Sequence, residues 1–313
     1  MAGAQPACFA VEFNCYKVGI SGTIDEVVAE WSRFDHTTVV KMHIVHCPAL
    51  EVPEMFQEFT RLREIWVYNS TVRDWGPEAS FTNSCHPHLT VLSLVRTNMT
   101  DMLLPLDFQD EDFPANLSLS YFCETNLRTL PDDLDEKWNL NSNIYIENSE
   151  LTTVPLSLVR LQPYYLSLAG NPIRELPPEL FETPEIQYLI VSSLNVEELP
   201  RNVTQPPPRP AFYDFSHTNI AFFWSWMDLF VENARGIAPR IVANAIPYCS
   251  DLDKIFSGIL ADFSTPFQSE YSKLLMNASK TNWDFLRQAV DCTPRAASTQ
   301  FPLEFWDNLY GML

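Results

Sequence analysis

Histidines, cysteines and regularly spaced aromatic residues are the side chains of this sequence that could carry chemistry. The histidines are His36, His43, His46, His86, His88 and His217. None of them belongs to an HExxH metal motif, a nucleophile elbow or a glycine-rich phosphate loop. His86 and His88 follow Cys85, but a zinc site would need a second ligand pair at a suitable spacing, which the sequence lacks. We therefore predict that the chain is not an enzyme and holds no metal or cofactor.

A repeat of about 24 residues positions the aromatic residues. Its clearest copy runs from Leu166 to Pro177 and reads LxLxxNxIxxLP. Aligned on the second leucine of this copy, eight units follow one another 22 to 28 residues apart, with the anchors Ile44, Val67, Leu94, Phe122, Ile146, Leu168, Val191 and Phe215. The position two residues before the anchor is apolar in every copy except the fourth, which has Ser120. A unit of this kind cannot bury its apolar side alone, so the copies are predicted to stack.

A second column of the repeat carries short polar groups. It contains Cys47, Ser70, Thr97, Thr125, Ser149, Asn171, Leu194 and Thr218. Hydroxyl and amide groups at this position can satisfy buried backbone atoms at the bend that follows each strand. The seventh copy, with Leu194, is the one that cannot do so.

This repeat resembles that of the leucine-rich repeat family. The resemblance implies an α/β solenoid, a horseshoe of about eight repeats in which each repeat adds one strand to a parallel concave sheet. We place an N-terminal cap at residues 1–37, because Ile24–Trp31 has helical apolar spacing. The repeats are predicted to occupy residues 38–225. Residues 226–313 lose the period and read as short aromatic helices, so they are predicted to form a helical C-terminal cap.

The strand register predicts a binding surface. Because successive side chains of a strand point to opposite faces, the residues beside each anchor form columns on the concave sheet. The predicted binding residues in these columns are Trp66, Tyr121, Tyr145, Tyr165, Tyr188, Ile190 and Phe212. Clustered rings of this kind are typical of protein-interaction surfaces and of carbohydrate platforms. The alternatives are that aromatic residues simply favour strands, or that the caps cover them.

The composition limits the partners. Lys and Arg total 20 against 40 acidic residues, a formal charge of −20, so phosphate backbones should be repelled and nucleic acid is excluded as a partner. The longest apolar stretch, residues 220–231, is interrupted by Asp228 and is too short to cross a bilayer. We expect no direct membrane insertion by this chain, and leave open a membrane-anchored parent protein or a larger assembly.

Sequons and cysteines favour an extracellular location. The Asn-x-Ser/Thr sequons are at Asn69, Asn98, Asn116, Asn202 and Asn277, and they are glycosylated only in a secreted chain. Two cysteine pairs outside the repeats, Cys8 with Cys15 and Cys249 with Cys292, are predicted to be disulfides of the caps. Cys47, inside the repeats, is predicted to be a buried free thiol. Against this location, residues 1–30 lack the basic start and apolar run of a secretion signal.

The Leu-Pro repeats, followed by a tail that contains WSWMDLF, PYCSDL and VDC, resemble extracellular leucine-rich repeat ectodomains of oomycete-type and other protist membrane proteins. What this resemblance implies is recognition of a protein, peptide or glycan on the concave face, as an ectodomain or a subunit of a surface assembly. Repeats of this length also resemble those of cytoplasmic signalling scaffolds, which is the alternative function. The fold alone does not identify the ligand.

Overall fold

The computed structural model describes residues 5–207, 211–233, 240–296 and 299–311. The chain divides into two compact units. The first unit contains Met1–Glu150, Pro155–Leu161 and Phe301–Leu313, and the second contains Leu151–Val154 and Gln162–Gln300. Parallel strands, one from each successive repeat, form the centre of each unit.

The main sheet of the first unit has six strands, each paired in parallel with the next: Ala10–Asn14, Lys41–Val45, Glu64–Tyr68, Val91–Val95, Leu119–Cys123 and Asn143–Glu147. Five predicted anchors are direct register partners along this sheet: Ile44, Val67, Leu94, Phe122 and Ile146. All five are at most 1% exposed. The predicted stacking of repeats on one interior row is therefore confirmed in this unit.

A left-handed turn follows five of the six strands of the main sheet, the exception being Ala10–Asn14, which leads directly into the helix Cys15–Val18. The residue after the strand has a positive φ, 57° at His46, 46° at Asn69 and 49° at Arg96. Its N–H donates to a carbonyl of the next repeat, as His46 does to Tyr68 over 3.1 Å. The polar column lies one residue further on and closes the turn. Ser70 Oγ accepts the N–H of Cys47 over 3.0 Å and donates to the carbonyl of Tyr68.

The rest of the first unit consists of short elements beside the main sheet. A second parallel sheet contains Leu50–Val52, Thr71–Trp75 and Asn98–Met99. The α-helices are Cys15–Val18, Ile24–Trp31, Leu134–Lys137, Leu156–Arg160 and Leu303–Tyr310. Short 3₁₀ turns occupy His36–Thr38, Glu54–Glu58, Pro77–Ala79, Thr100–Met102 and Leu106–Gln109. The turn Glu54–Glu58 follows Pro53, and the turn Pro77–Ala79 begins with Pro77. The fixed φ of proline is suited to the start of a helical turn.

The segment predicted as the N-terminal cap contains a strand as well as a helix. Ala10–Asn14 pairs with Lys41–Val45, and Phe13 is the register partner of Ile44. The strand ladder therefore begins before the first predicted repeat. The repeat pattern misses this strand because the chain between Phe13 and Ile44 includes a full helix, which lengthens the interval to 31 residues.

The second unit has five parallel strands, Tyr165–Ser167, Tyr188–Ile190, Phe212–Asp214, Ile241–Val242 and Val290–Asp291. Its helices are Met227–Asn233, Pro247–Phe256 and Trp283–Ala289, with 3₁₀ turns at Pro178–Phe181 and Lys280–Asn282. Two of the strands lie in the segment predicted to be wholly helical. Each is only two residues long, too short for an apolar alternation to be recognised.

The disulfides differ in part from the predicted pairs. Cys249 is bonded to Cys292, but Cys15 is bonded to Cys47, and Cys8 is a free thiol. The predictions of a Cys8–Cys15 bond and of a free Cys47 were wrong. The strand pairing explains the difference: it places Cys15, just after the strand Ala10–Asn14, beside the turn that contains Cys47. Spacing along the sequence cannot reveal this neighbour.

Among the residues that the structure describes, no helix is long and apolar enough to cross a membrane.

Candidate functional site

The outer face of the first unit is the sheet face opposite its buried interior. Alternation along the strands places three columns on this face. The first two columns are those predicted from the sequence. The first contains Lys41, Glu64, Val91, Leu119 and Asn143, and the second contains His43, Trp66, Ser93, Tyr121 and Tyr145. The third column contains Val45, Tyr68, Val95, Cys123 and Glu147, and all five of its side chains are buried.

A helix of the same chain lies on this face and accounts for the burial. The helix Leu303–Tyr310, called here the docked helix, packs with Phe301 against Val45, Tyr68, Val95 and Cys123 in one apolar cluster. The helix presents Leu303, Trp306, Asp307 and Tyr310 to the sheet, a spacing that lies on a single helical face. The face predicted to be open for binding is therefore covered in this unit.

Aromatic stacking forms the centre of the contact. The rings of Trp306 and Trp66 stack with centroids 4.3 Å apart and planes 22° apart. Phe301 meets Tyr121 edge to face at 4.8 Å, and Tyr121 in turn lies 4.7 Å from Tyr145. Such pairs contribute roughly 0.5–1.5 kcal/mol each beyond their buried area.

Asp307 supplies the charged anchor of the docked helix. Tyr68 donates its hydroxyl hydrogen to Oδ1 of Asp307 over 2.6 Å. Oδ2 of Asp307 is 2.8 Å from the guanidinium of Arg96, which also pairs with Glu124 at 2.7 Å. Arg96 occupies the positive-φ position directly after the strand Val91–Val95, at the carboxyl end of that strand. Asp307 thereby joins two repeats of the sheet to the helix.

Polar contacts also hold the C-terminal end of the docked helix, at Tyr310, and the residues just before the helix, at Phe301. Nδ1 of His43 is hydrogen-bonded to the hydroxyl of Tyr310. Asn69 donates to Nδ1 of His46 over 2.8 Å, so in the neutral ring Nε2 carries the proton and donates to the carbonyl of Tyr310 over 2.9 Å. At the other end, the N–H of Phe301 donates to the carboxylate of Glu147 over 3.0 Å.

Burial by the docked helix changes the acid–base properties of the face. Desolvation, together with the hydrogen bond to Asp307, raises the pKa of Tyr68 to about 12. Desolvation raises the pKa of Tyr310 to about 12, and it lowers the pKa of His43. Burial also raises the pKa of the Cys123 thiol well above its usual range. Protonated phenols and a protonated, covered thiol are poor nucleophiles, so these groups are suited to packing and hydrogen bonding.

The second unit carries the other part of the predicted aromatic surface. Tyr165, Tyr188 and Phe212 are register partners and are half-buried. Their ring centroids are separated by 5.2 Å and then 5.8 Å, and the first pair is nearly parallel. The hydroxyl of Tyr165 donates to the side-chain oxygen of Gln300 over 3.0 Å. The three rings therefore form a ladder, as the register predicted.

Ile190 does not belong to an exposed surface. The register pairs it with Ser167 and Asp214 in an outer column, but its side chain is only 1% exposed, and Ser167 is fully buried. The prediction that Ile190 contributes to an open binding surface was wrong. Alternation identifies the face on which a side chain lies, but it does not show whether other residues cover that face.

The most important residues of the site were not predicted. Tyr68, Arg96 and Asp307 anchor the helix, but the predicted surface contains only residues of the two columns before the anchor. One signal was available: the residue after each anchor includes Val45 and Val95, and apolar residues on an open sheet face indicate that something covers them.

The predicted glycosylation residues are all exposed: Asn69, Asn98, Asn116, Asn202 and Asn277.

His86, which lies next to Cys85 in the sequence, is fully buried. Its ring lies 4.6 Å from the ring of Phe56, and its Nε2 is hydrogen-bonded to the backbone carbonyl of Phe56. His86 is thus a core residue. In the described part of the chain, no three His, Cys, Asp or Glu side chains are grouped closely enough to hold a metal ion.

No protein-family model matches the chain, and no curated protein matches its sequence. Among solved structures, the crystal structure of a plant ice-binding protein aligns with a TM-score of 0.46 at 18% identity. The alignment covers 67% of this chain and 66% of the plant protein, so the chain spans about two thirds of the length of that protein. A likeness of this size identifies neither the family nor the function.

Proposed function

We propose that the chain is a non-catalytic recognition module of the leucine-rich repeat type, which binds a helical segment of a protein on the outer face of its sheet. The observation that carries this proposal is the docked helix: the outer face of the first unit already holds a helical peptide segment, in cis. Stacked rings provide the contact area, while Asp307 and the hydrogen bonds at the two ends fix the register.

The repeat chemistry supports the leucine-rich repeat assignment. Asn171 performs the role that this family gives to its conserved asparagine position. Its side-chain oxygen accepts the N–H of Leu151 over 3.1 Å, and its amide donates to the carbonyl of Leu168 over 2.8 Å. In the first unit, Ser149 and Thr125 bond each other at the same position of their repeats over 2.8 Å.

The contacts favour a protein or peptide ligand over a glycan. The first-unit face combines apolar rings with the side-chain carboxylate of Glu147, which accepts the backbone N–H of Phe301. A helix also presents two neighbouring side chains in the positions that contact Trp66 and Arg96, as Trp306 and Asp307 do here. A glycan does not present side chains at this helical spacing.

An extracellular location fits two observations. The structure contains two disulfides, which persist mainly in oxidising compartments, and all five sequon asparagines are exposed. The native protein should therefore lose mass on glycosidase treatment and retain oxidised Cys15, Cys47, Cys249 and Cys292. Unchanged mass together with seven free thiols would instead support the cytoplasmic scaffold.

The binding function is tested by emptying the outer face and offering the segment in trans. The full chain with Trp306→Ala and Tyr310→Ala loses the two buried rings of the docked helix. A fluorescent peptide of residues 299–311 should bind this variant, and anisotropy measures the affinity. A peptide that carries Trp306→Ala serves as the matched control and should bind at least tenfold more weakly.

A substitution on the sheet tests whether the peptide binds at the outer face of the first unit. Adding Arg96→Ala to the emptied variant should weaken peptide binding roughly three- to fivefold, because the partly solvated ion pair with Asp307 of the peptide is lost. A variant that stays folded by circular dichroism but fails to bind the peptide at several hundred micromolar would contradict the proposed function.

A further inference from the structure

The docked helix is a small ligand for the face that it covers. It has eight residues, and isolated helices of this length are marginal in water. The contacts between the helix and the sheet must therefore offset the conformational entropy that the segment loses when it becomes helical. This cost lowers the net affinity of the helix for the outer face. Only one side of it is buried, since Phe305 and Leu309 on the other side are 60% and 53% exposed.

The charged anchor also has the properties of a contact that can open. The ion pair between Arg96 and Asp307 is partly solvated, with side-chain exposures of 39% and 31%. Solvated pairs of this kind contribute little and are weakened by salt. The guanidinium keeps a second carboxylate partner, Glu124, so release of Asp307 does not leave Arg96 without a counter-charge.

From these observations we propose that the docked helix is a latch, which a helical segment of another protein displaces. This inference rests on the proposed function. The displacing segment is an amphipathic helix that presents an aromatic residue, an acidic residue next to it and a second aromatic residue three positions further on. This is the pattern of Trp306, Asp307 and Tyr310, and the face reads each of the three through Trp66, Arg96 and His43.

The positive charge of Arg96 favours a partner helix with an acidic residue at the position of Asp307. The chain has a formal charge of −20, so acidic segments are repelled by most of its surface. Arg96 provides a local positive group at the edge of the outer face, where an acidic side chain next to an aromatic one can be accepted. A helix with the aromatic residues alone would lack this anchor.

The latch makes a quantitative prediction for binding in trans. The apparent affinity of an external helix equals its intrinsic affinity multiplied by the fraction of molecules in which the latch is open. Asp307→Asn in the full chain keeps the shape of the side chain but removes its charge, so the open fraction should rise. The fluorescent 299–311 peptide should then bind the Asp307→Asn chain roughly three- to fivefold more tightly than the wild-type chain.

Glu304→Gln is the matched control. It makes the same chemical change on the exposed side of the same helix and should leave peptide binding at the wild-type value. Equal peptide affinities for the wild-type and Asp307→Asn chains would overturn the latch, provided that the Trp306→Ala and Tyr310→Ala chain binds the peptide. Absence of binding to that emptied chain would instead overturn the proposed function itself.

The size of the wild-type chain in solution distinguishes the source of the displacing helix. Light scattering without peptide should give a monomer, consistent with a helix supplied by another protein. A dimer in which Asp307→Asn increases subunit exchange would contradict this commitment, because it would make a second copy of the chain the occupant of the face.

Discussion

At the scale of single residues, buried polar groups show how closely the interior is specified. His86 is held between two aromatic rings and bonds a backbone carbonyl through one ring nitrogen. Desolvation lowers the pKa of His86 to about 4. The neutral imidazole is therefore the form that the fold accepts. The sequence presented this histidine beside Cys85 and His88, and only the packing shows that it is a core residue.

Substitution of His86 should change the pH dependence of stability. The folded-state pKa lies below the usual value of 6.5, so the stabilisation is complete above pH 6.5 and is lost as the pH falls toward 4. The wild-type free energy of unfolding should lose on the order of 3 kcal/mol from this group. In His86→Gln this part of the pH dependence should disappear.

Chemical denaturation at pH 7 and at pH 4 measures the difference. His88→Gln, an exposed histidine two residues away, should retain the wild-type pH dependence. If His86→Gln and His88→Gln lose equal stability between the two pH values, His86 is not buried in its neutral form.

At the scale of elements, the strands were predictable and their partners outside the sheet were not. The eight predicted repeats each contain a strand at the expected register, because apolar alternation and the turn after each strand recur in the sequence. The strands Ile241–Val242 and Val290–Asp291 give no such signal, since each has two residues. The docked helix has a clear apolar stripe, but a stripe does not specify which surface will receive it.

The disulfide between Cys15 and Cys47 connects two neighbouring turns of the first unit and should contribute substantially to its stability. It closes a loop with a sequence separation of 32 residues, for which loop entropy predicts about 4 kcal/mol. Replacing both cysteines by alanine should lower the free energy of unfolding by about this amount.

Cys8→Ala is the control for the disulfide and should change stability by less than about 1 kcal/mol, because Cys8 is unpaired and only partly buried. Peptide mapping of the unreduced protein gives an independent check. A peptide that joins Cys8 to Cys15 would show that the pairing in the structure is wrong.

At the scale of the whole molecule, the interior and the site have different origins. The interior follows from the repeat, which brings Ile44, Val67 and Leu94 into one row at a spacing visible in the sequence. The site depends on a contact between residues more than 200 positions apart, such as Tyr68 with Asp307. A pattern in the sequence can identify the aromatic columns, but it cannot show that the chain returns to cover them.

In the proposed function, the docked helix occupies the outer face as a ligand and can leave while the sheet stays folded. Hydrogen exchange of the full chain, resolved by peptide, tests it directly. Amides of Leu303–Tyr310 should exchange faster than those of Glu64–Tyr68 and Val91–Val95, and Asp307→Asn should accelerate exchange in the helix alone. Exchange of the helix and these strands at one common rate, changed together by Asp307→Asn, would contradict the claim.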